Sequence, residues 1–242
     1  MIETSIIIRT KNEQKWLGRV LDKLQKQTYG NFEIVIIDSE STDNTLEIAK
    51  RYTDKIISIK QEDFSYPYAL NIGCKYSEAS KYFVMLSAHS LPISDTWLSD
   101  GISNFGDEKL AGVYGNVWAL PDGTIWEKII FNEQLGKIKK KFKRKTIVKK
   151  TKMGTLGFTN AIIRRDLWEK HHFDEKYGAG GEDGAWADFY LKKGFYFIED
   201  VNFSVYHSHR LGLKGLYKQY KNWKSLVKPR PFEKLTYRNF GE

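Results

Sequence analysis

Cysteine is almost absent. The single Cys74 excludes a disulfide framework and any four-thiolate metal site. No apolar run approaches the roughly 18 residues needed to span a bilayer. The opening Met-Ile-Glu-Thr-Ser lacks the basic-then-apolar layout of a secretory leader. These absences predict a soluble protein of a reducing cytoplasm. Two phosphate-binding signatures are missing as well. There is no G-x-x-x-x-G-K-[ST], and Gly178-Ala179-Gly180-Gly181 lacks the third glycine of G-x-G-x-x-G and follows no clear strand. A P-loop nucleotidase and an ordinary dehydrogenase are thereby excluded. Core material is plentiful: 7 Trp, 14 Tyr and 14 Phe in 242 residues are incompatible with a disordered chain. The length suits one large domain, or one domain with an appendage.

Charge is unevenly spread. The net charge is +9, and residues 137–152 hold ten Lys/Arg and no acid. Residues 213–238 add eight basic residues against one acid, Glu233. A basic half on a balanced half points to a phosphate, a membrane surface or a nucleic acid as partner.

The first half reads as alternating strands and helices. Ser5–Arg9 is a β-branched run. Trp16, Leu17, Val20, Leu21 and Leu24 follow at helical spacing, with Asn12 as expected N-cap. Strands are expected at 32–37, 55–59 and 82–86, with helices after Asn44 and over 67–79. Strands apolar on both faces predict a parallel sheet covered by helices. Later, 111–118 reads as one strand, 137–152 as a mobile loop, 161–163 as a short strand and 182–192 as a helix. Strands at 195–198 and 203–206 would be antiparallel if they pair.

In such a sheet, ligands bind beyond the carboxyl ends of the strands. Three polar clusters should meet there: Thr10, Asn12 and Glu13; Asp38 and Ser41; Ser87 and His89. Asp38 can accept from a ribose hydroxyl or a base N–H, or it can cap the next helix. Tyr66 and Asn71 could face the same crevice, though Asn71 suits a backbone hydrogen bond equally. Glu182 and Asp183 open a helix, where carboxylates serve either as a cap or as a general base. His207 and His209 share one face of a strand; they could ligate a metal with His89, or be ordinary hydrogen-bonded histidines.

Several stretches together resemble a family 2 glycosyltransferase of the GT-A fold. They are Ser5-Ile-Ile-Ile-Arg-Thr-Lys-Asn-Glu, Gln27-Thr-Tyr, Glu33-Ile-Val-Ile-Ile-Asp-Ser-Glu-Ser-Thr-Asp-Asn-Thr, Ala69-Leu-Asn-x-Gly and Gly180-Gly-Glu-Asp. Ser87-Ala-His-Ser-Leu-Pro resembles the rhamnosyltransferase-like subset of surface-polysaccharide assembly. The resemblance implies an α/β, Rossmann-like GT-A domain over 1–210. Within it, 1–112 would bind the nucleotide sugar and 113–210 the acceptor. A mostly parallel sheet, a small antiparallel element and a basic amphipathic tail over 211–242 complete the expected architecture.

By the same resemblance, Thr10, Asn12, Glu13, Asp38, Ser41, Asn71, Ser87 and His89 would hold the nucleotide sugar. Asp183 would be the catalytic carboxylate, with Glu182 beside it. The family's Asp-x-Asp is replaced here by Ser87-Ala88-His89. A Mn2+ or Mg2+ cofactor would therefore rest on His89 with His207 or His209. Otherwise cations of 137–152, or Arg210, would neutralise the leaving group. The expected reaction is inverting transfer from a nucleotide-diphospho-sugar to a glycan or lipid-linked glycan, in the cytoplasm or at the inner membrane face. The competing readings are a nucleic-acid-binding protein using 137–152 and 214–238, and an inactive nucleotide-sugar-binding scaffold.

The tail places Leu213, Leu216, Tyr217, Tyr220, Trp223 and Val227 on one helical stripe beside Lys214, Lys218, Lys221 and Lys228. The stripe fits packing on the domain or contact with an anionic membrane surface.

Overall fold

The computed structural model describes residues 1–131, 137–138, 141–178 and 180–225. Four parallel strands carry the first half: β1 (Thr4–Thr10), β2 (Phe32–Asp38), β3 (Ile56–Ser58) and β4 (Tyr82–Ser87). They alternate with helices α1 (Leu17–Gln25), α2 (Thr45–Ala49) and α3 (Tyr66–Tyr76). Beyond β4 come β5 (Leu91–Pro92), α4 (Trp97–Ile102), β6 (Leu110–Tyr114), β7 (Val117–Trp118) and α5 (Ile125–Ile130). Then follow β8 (Lys145–Val148), β9 (Asn160–Arg164), α6 (Arg165–Lys170), α7 (Glu182–Lys192), β10 (Tyr196–Asp200), β11 (Val205–Tyr206) and α8 (Leu213–Ser225).

The main sheet has eight strands in the order β3-β2-β1-β4-β9-β6-β10-β8. β9 runs antiparallel to β4 and β6, and β8 antiparallel to β10; the other pairings are parallel. A second sheet, β5-β11-β7, has three strands. Strand order reverses around β1, which lies between β2 and β4, so a crevice opens at the carboxyl ends of β1 and β4.

Strand periodicity divides the core. Ile6 and Ile8 pack with Leu17, Val20, Leu21 and Leu24 of α1 and with Trp97 of α4. Ile7, on the other face, packs with Ala69, Leu70 and Cys74 of α3 and with Trp186 and Tyr190 of α7. A Cβ at Gly73 would collide with Ile7, so this glycine lets α3 lie close on β1. Arg9 shares the face of Ile7, which aims it at α3 and α7.

Four expectations change. Asn12 does not cap α1: the helix starts at Leu17, and Asn12 sits in the left-handed region at φ 52°. The 111–118 run splits after Tyr114 and contributes to both sheets. The strands near 195–198 and 203–206 do not pair; a 3-10 turn over Val201–Phe203 carries the chain into the smaller sheet. The basic 137–152 stretch is not loop throughout, because Lys145–Val148 adds an antiparallel edge to β10. Lys139, Lys140 and the tail beyond Ser225, including Val227 and Lys228, lie outside the described residues.

Candidate active site

The end of β1 is where the polar clusters meet. Thr10 pairs in register with Asp38 on β2, and Arg9 with Ser87 on β4. Asp38 is fully buried, and Ser41 donates to both its oxygens, from its amide (2.9 Å) and its hydroxyl (2.5 Å). The Ser41 hydroxyl also accepts from the Asn12 amide at 2.9 Å, and Asn12 Oδ1 accepts from the Thr42 amide at 2.8 Å. Asp38 thus closes the turn after β2. A carboxylate has roughly four acceptor positions, so capacity remains for a ligand. The Thr10 and Ser39 hydroxyls beside it are buried without a hydrogen-bond partner.

On the other side of β1, Arg9 links to the start of α7. Its Nη1 lies 3.9 Å from Glu182 Oε1, and its guanidinium sits over the Tyr66 ring at 4.4 Å. Gly180 and Gly181 have φ of 115° and 102°, a conformation that costs ordinary residues about 1–2 kcal/mol. This bend, tied to α3 by the Tyr66 amide on the Gly178 carbonyl (3.2 Å), turns the Glu182–Asp183 pair toward β1. Glu182 is 4% exposed, and its Oε2 has no hydrogen-bond partner. Burial, then the neighbouring Asp183 charge, pushes its pKa up; Arg9 opposes this. Asp183 is half-buried and accepts from the amides of Gly184 (2.6 Å) and Phe158 (3.4 Å). Burial raises its pKa too.

The histidines converge. His89 stacks on His207 at 4.3 Å between centroids and meets His209 edge-on at 5.1 Å. Candidate ligand atoms of all three lie within 4.8 Å of one another. His89 Nδ1 is held by Glu13 Oε1 at 2.7 Å, and His207 Nδ1 by the Ser90 hydroxyl at 3.1 Å. Their far nitrogens face inward: His207 Nε2 lies 3.2 Å from His209 Nε2, and His89 Nε2 is buried without a partner. Desolvation and the adjacent rings press His207 well below the usual imidazole range, which favours the neutral, metal-binding form. An outer carboxylate fixing a ligand imidazole is the usual support of a metal centre. An all-imidazole donor set suits borderline cations such as Zn2+ and Fe2+ best, accepts Mn2+ less well, and suits Mg2+ least.

Asn71 stands apart from these groups. Its Nδ2 donates to the Phe173 carbonyl (2.9 Å) and to Glu175 (3.1 Å), and its Oδ1 accepts from Trp168 Nε1 and the Phe173 amide, both at 3.1 Å. It pins α3 to the segment after α6. Ser87 ends β4, and its carbonyl accepts from Ser90 at 2.9 Å. Arg210 pairs with Asp122, which also receives Lys15 at 2.9 Å. In the basic stretch, Lys145 reaches Asp200 at 3.6 Å and Lys152 reaches Glu199 at 3.3 Å. Arg9 was the functional candidate hidden in the sequence. The available signal was a cation ending an otherwise apolar buried strand.

Known proteins share this architecture. The mannosyltransferase PcManGT of Pyrobaculum calidifontis, solved with GDP-Man and Mn2+, superposes with a TM-score of 0.64 over 92% of this chain and 61% of that one, at 19% identity. TarS of S. aureus with UDP gives 0.62 over 96% and 67%, at 17% identity. The fold is GT-A. In sequence, the O-antigen chain rhamnosyltransferase WbaN of Salmonella anatum is 27% identical over 198 residues, 81% of this chain and 62% of its own length. A β-1,3-glucosyltransferase of Campylobacter jejuni, acting on GalNAc(5)-diNAcBac-PP-undecaprenol, is 25% identical over 94% of this chain and 74% of its own. A Methanococcus voltae dolichyl-phosphate-linked sugar transferase is 32% identical over 145 residues, 54% of this chain; the chain spans 44% of that relative's length. The model of the family described as "Glycosyl transferase family 2" matches residues 5–171, more than half of the chain, and the chain belongs to that family.

Proposed function

We propose that the chain is an inverting glycosyltransferase. It moves a sugar from a nucleotide-diphospho-sugar to a hydroxyl of a glycan or lipid-linked glycan in surface-polysaccharide assembly. The observation that carries this reading is the meeting of three sets at the end of β1: Asp38 with Ser41, His89 with Glu13, and Glu182–Asp183 across Arg9. Buried hydroxyls and amides around Thr10 and Asp38 suit a ribose and base. The named substrates of the C. jejuni and M. voltae relatives favour a lipid-linked acceptor.

Asp183 is the general base of this mechanism. Of the two carboxylates it is the more accessible, and burial raises its pKa above that of an ordinary aspartate, which makes it a better proton acceptor than a solvated carboxylate. It takes the proton of the attacking hydroxyl as that oxygen displaces the nucleoside diphosphate from the opposite face, which inverts the anomeric carbon. Glu182, sealed against Arg9, holds the start of α7 and fixes where Asp183 points. His89, His207 and His209 would hold a divalent cation, which would neutralise charge on the leaving diphosphate.

Calorimetry with UDP-, GDP- and dTDP-sugars, with and without Mn2+, tests the donor. Binding of one of them, strengthened by Mn2+, is the expected result. Asp183→Asn is expected to lower transfer by about 10²–10⁴-fold while sparing donor binding. Full activity in that variant would reject the base.

A further inference from the structure

We propose that the outward faces of α5 and α8 form one docking surface for an anionic lipid bilayer. α5 is inside out. Its carboxylate, Glu127, is 1% exposed, while Ile125, Trp126, Ile129 and Ile130 are 43–64% exposed. These four residues, spaced i, i+1, i+4 and i+5, share one side of the helix. The reason is local. Glu127 Oε2 accepts from the Thr124 amide (2.8 Å), and Oε1 accepts from the amides of His209 (2.9 Å) and Leu211 (3.2 Å). The Thr124 hydroxyl donates to the Leu211 carbonyl at 2.6 Å. Those bonds draw the polar side inward and leave the apolar side facing water.

α8 leaves the same anchor, starting two residues after Leu211. Among its described apolar residues only Leu216 is buried; Leu213, Tyr217, Tyr220 and Trp223 are 40–59% exposed. The helix carries Lys214, Lys218, Lys221 and Lys224 and no acid. Lys221 lies over the Tyr217 ring at 4.8 Å.

The occupant follows from this chemistry. A twofold pairing of this face with a second copy would set lysines against lysines. Trp and Tyr rings beside Lys side chains match the headgroup boundary of an anionic leaflet, where rings sit at the interface and lysines meet lipid phosphates. No described helix is long and apolar enough to cross a membrane, and the contact proposed here is lateral. Because Glu127 also holds the His209 backbone, a docked bilayer would lie next to the histidine cluster. The use of that proximity to reach a lipid-linked acceptor rests on the proposed transfer reaction; the docking surface does not.

Vesicle flotation of the full chain, without donor, tests the surface. The chain is expected to float with phosphatidylglycerol vesicles and not with phosphatidylcholine vesicles. Ile129→Asp with Ile130→Asp, and separately Lys218→Glu with Lys221→Glu, should each cut the bound fraction about tenfold. Both sites are exposed, so melting temperatures should match the parent. Absence of flotation with phosphatidylglycerol would overturn the proposal. So would an apolar variant that floats like the parent, or a parent dimer in sedimentation that the variants dissolve. Flotation without transfer activity would leave the surface standing and remove only the enzymatic reading.

Discussion

The crevice has two sets of titratable groups, carboxylates and imidazoles, and burial drives them in opposite directions. At the start of α7, Glu182 and Asp183 are pushed up toward their protonated forms. Across β1, His207 is pushed down toward its neutral form. The dominant cause is the same in both places: loss of water around a charge. The two differ in what relieves it. The carboxylates have Arg9 beside them, whereas the imidazoles have each other and the outer partners Glu13 and Ser90. One side is suited to take a proton, the other to take a cation.

The largest way to break this symmetry is to empty the imidazole side. His89→Ala combined with His207→Ala should abolish Mn2+ binding by calorimetry, leaving a melting curve that no longer responds to Mn2+. Retained Mn2+ affinity would move the metal elsewhere. A smaller step leaves the ligands and removes their orienter: Glu13→Gln is expected to weaken Mn2+ by about 10–100-fold. A Glu13→Gln protein with unchanged affinity would show that the carboxylate only tethers the loop.

On the acidic side, the expected effects are changes with pH. The raised pKa of Asp183 should shift the acid limb of the transfer rate above the ordinary aspartate value of 3.8. Glu182 supplies the smallest effect, on stability. Its folded-state pKa is raised, so its contribution is full below the unfolded value of 4.5 and is lost as pH rises through the folded value. Glu182→Gln removes that loss. The variant should melt higher than the parent at alkaline pH, and the gap should close in mild acid. A variant that melts lower throughout would mean the Arg9 pairing outweighs desolvation.

Local pattern revealed some of this and long-range pairing hid the rest. β1, β2 and β4 were legible because strands buried on both faces read as continuous apolar runs, Ser5–Arg9 and 32–37 among them. α7 was legible from Trp186, Phe189 and Tyr190. β8 was not, because an edge strand of Lys-Thr-Ile-Val inside a lysine-rich stretch has only one buried residue, Val148. The partner of residues 205–206 depends on a 3-10 turn that no spacing announces. Asn12 looked like a helix cap, yet its side-chain Oδ1 accepts from the Thr42 amide in the turn after β2. The grouping of His89 with His207 and His209 was one of the alternatives the pattern left open, and the pairing of β11 with β5 is part of what brings them together. Glu127 was invisible as an anchor, since a glutamate in a short helix ordinarily faces water.

The edge strand β8 of the large sheet has a consequence for how the protein behaves in a crowded solution. Among the described residues β8 pairs with β10 on one side only, and its other flank is an open row of backbone amides and carbonyls at one edge of the sheet. Such a row invites strand-by-strand addition from neighbouring molecules. Lys143, Arg144, Lys145, Lys149 and Lys150 bracket it, and mutual repulsion between copies keeps that row from propagating into aggregates. A cluster that looks designed to attract an anion thus also acts as a gatekeeper against self-association.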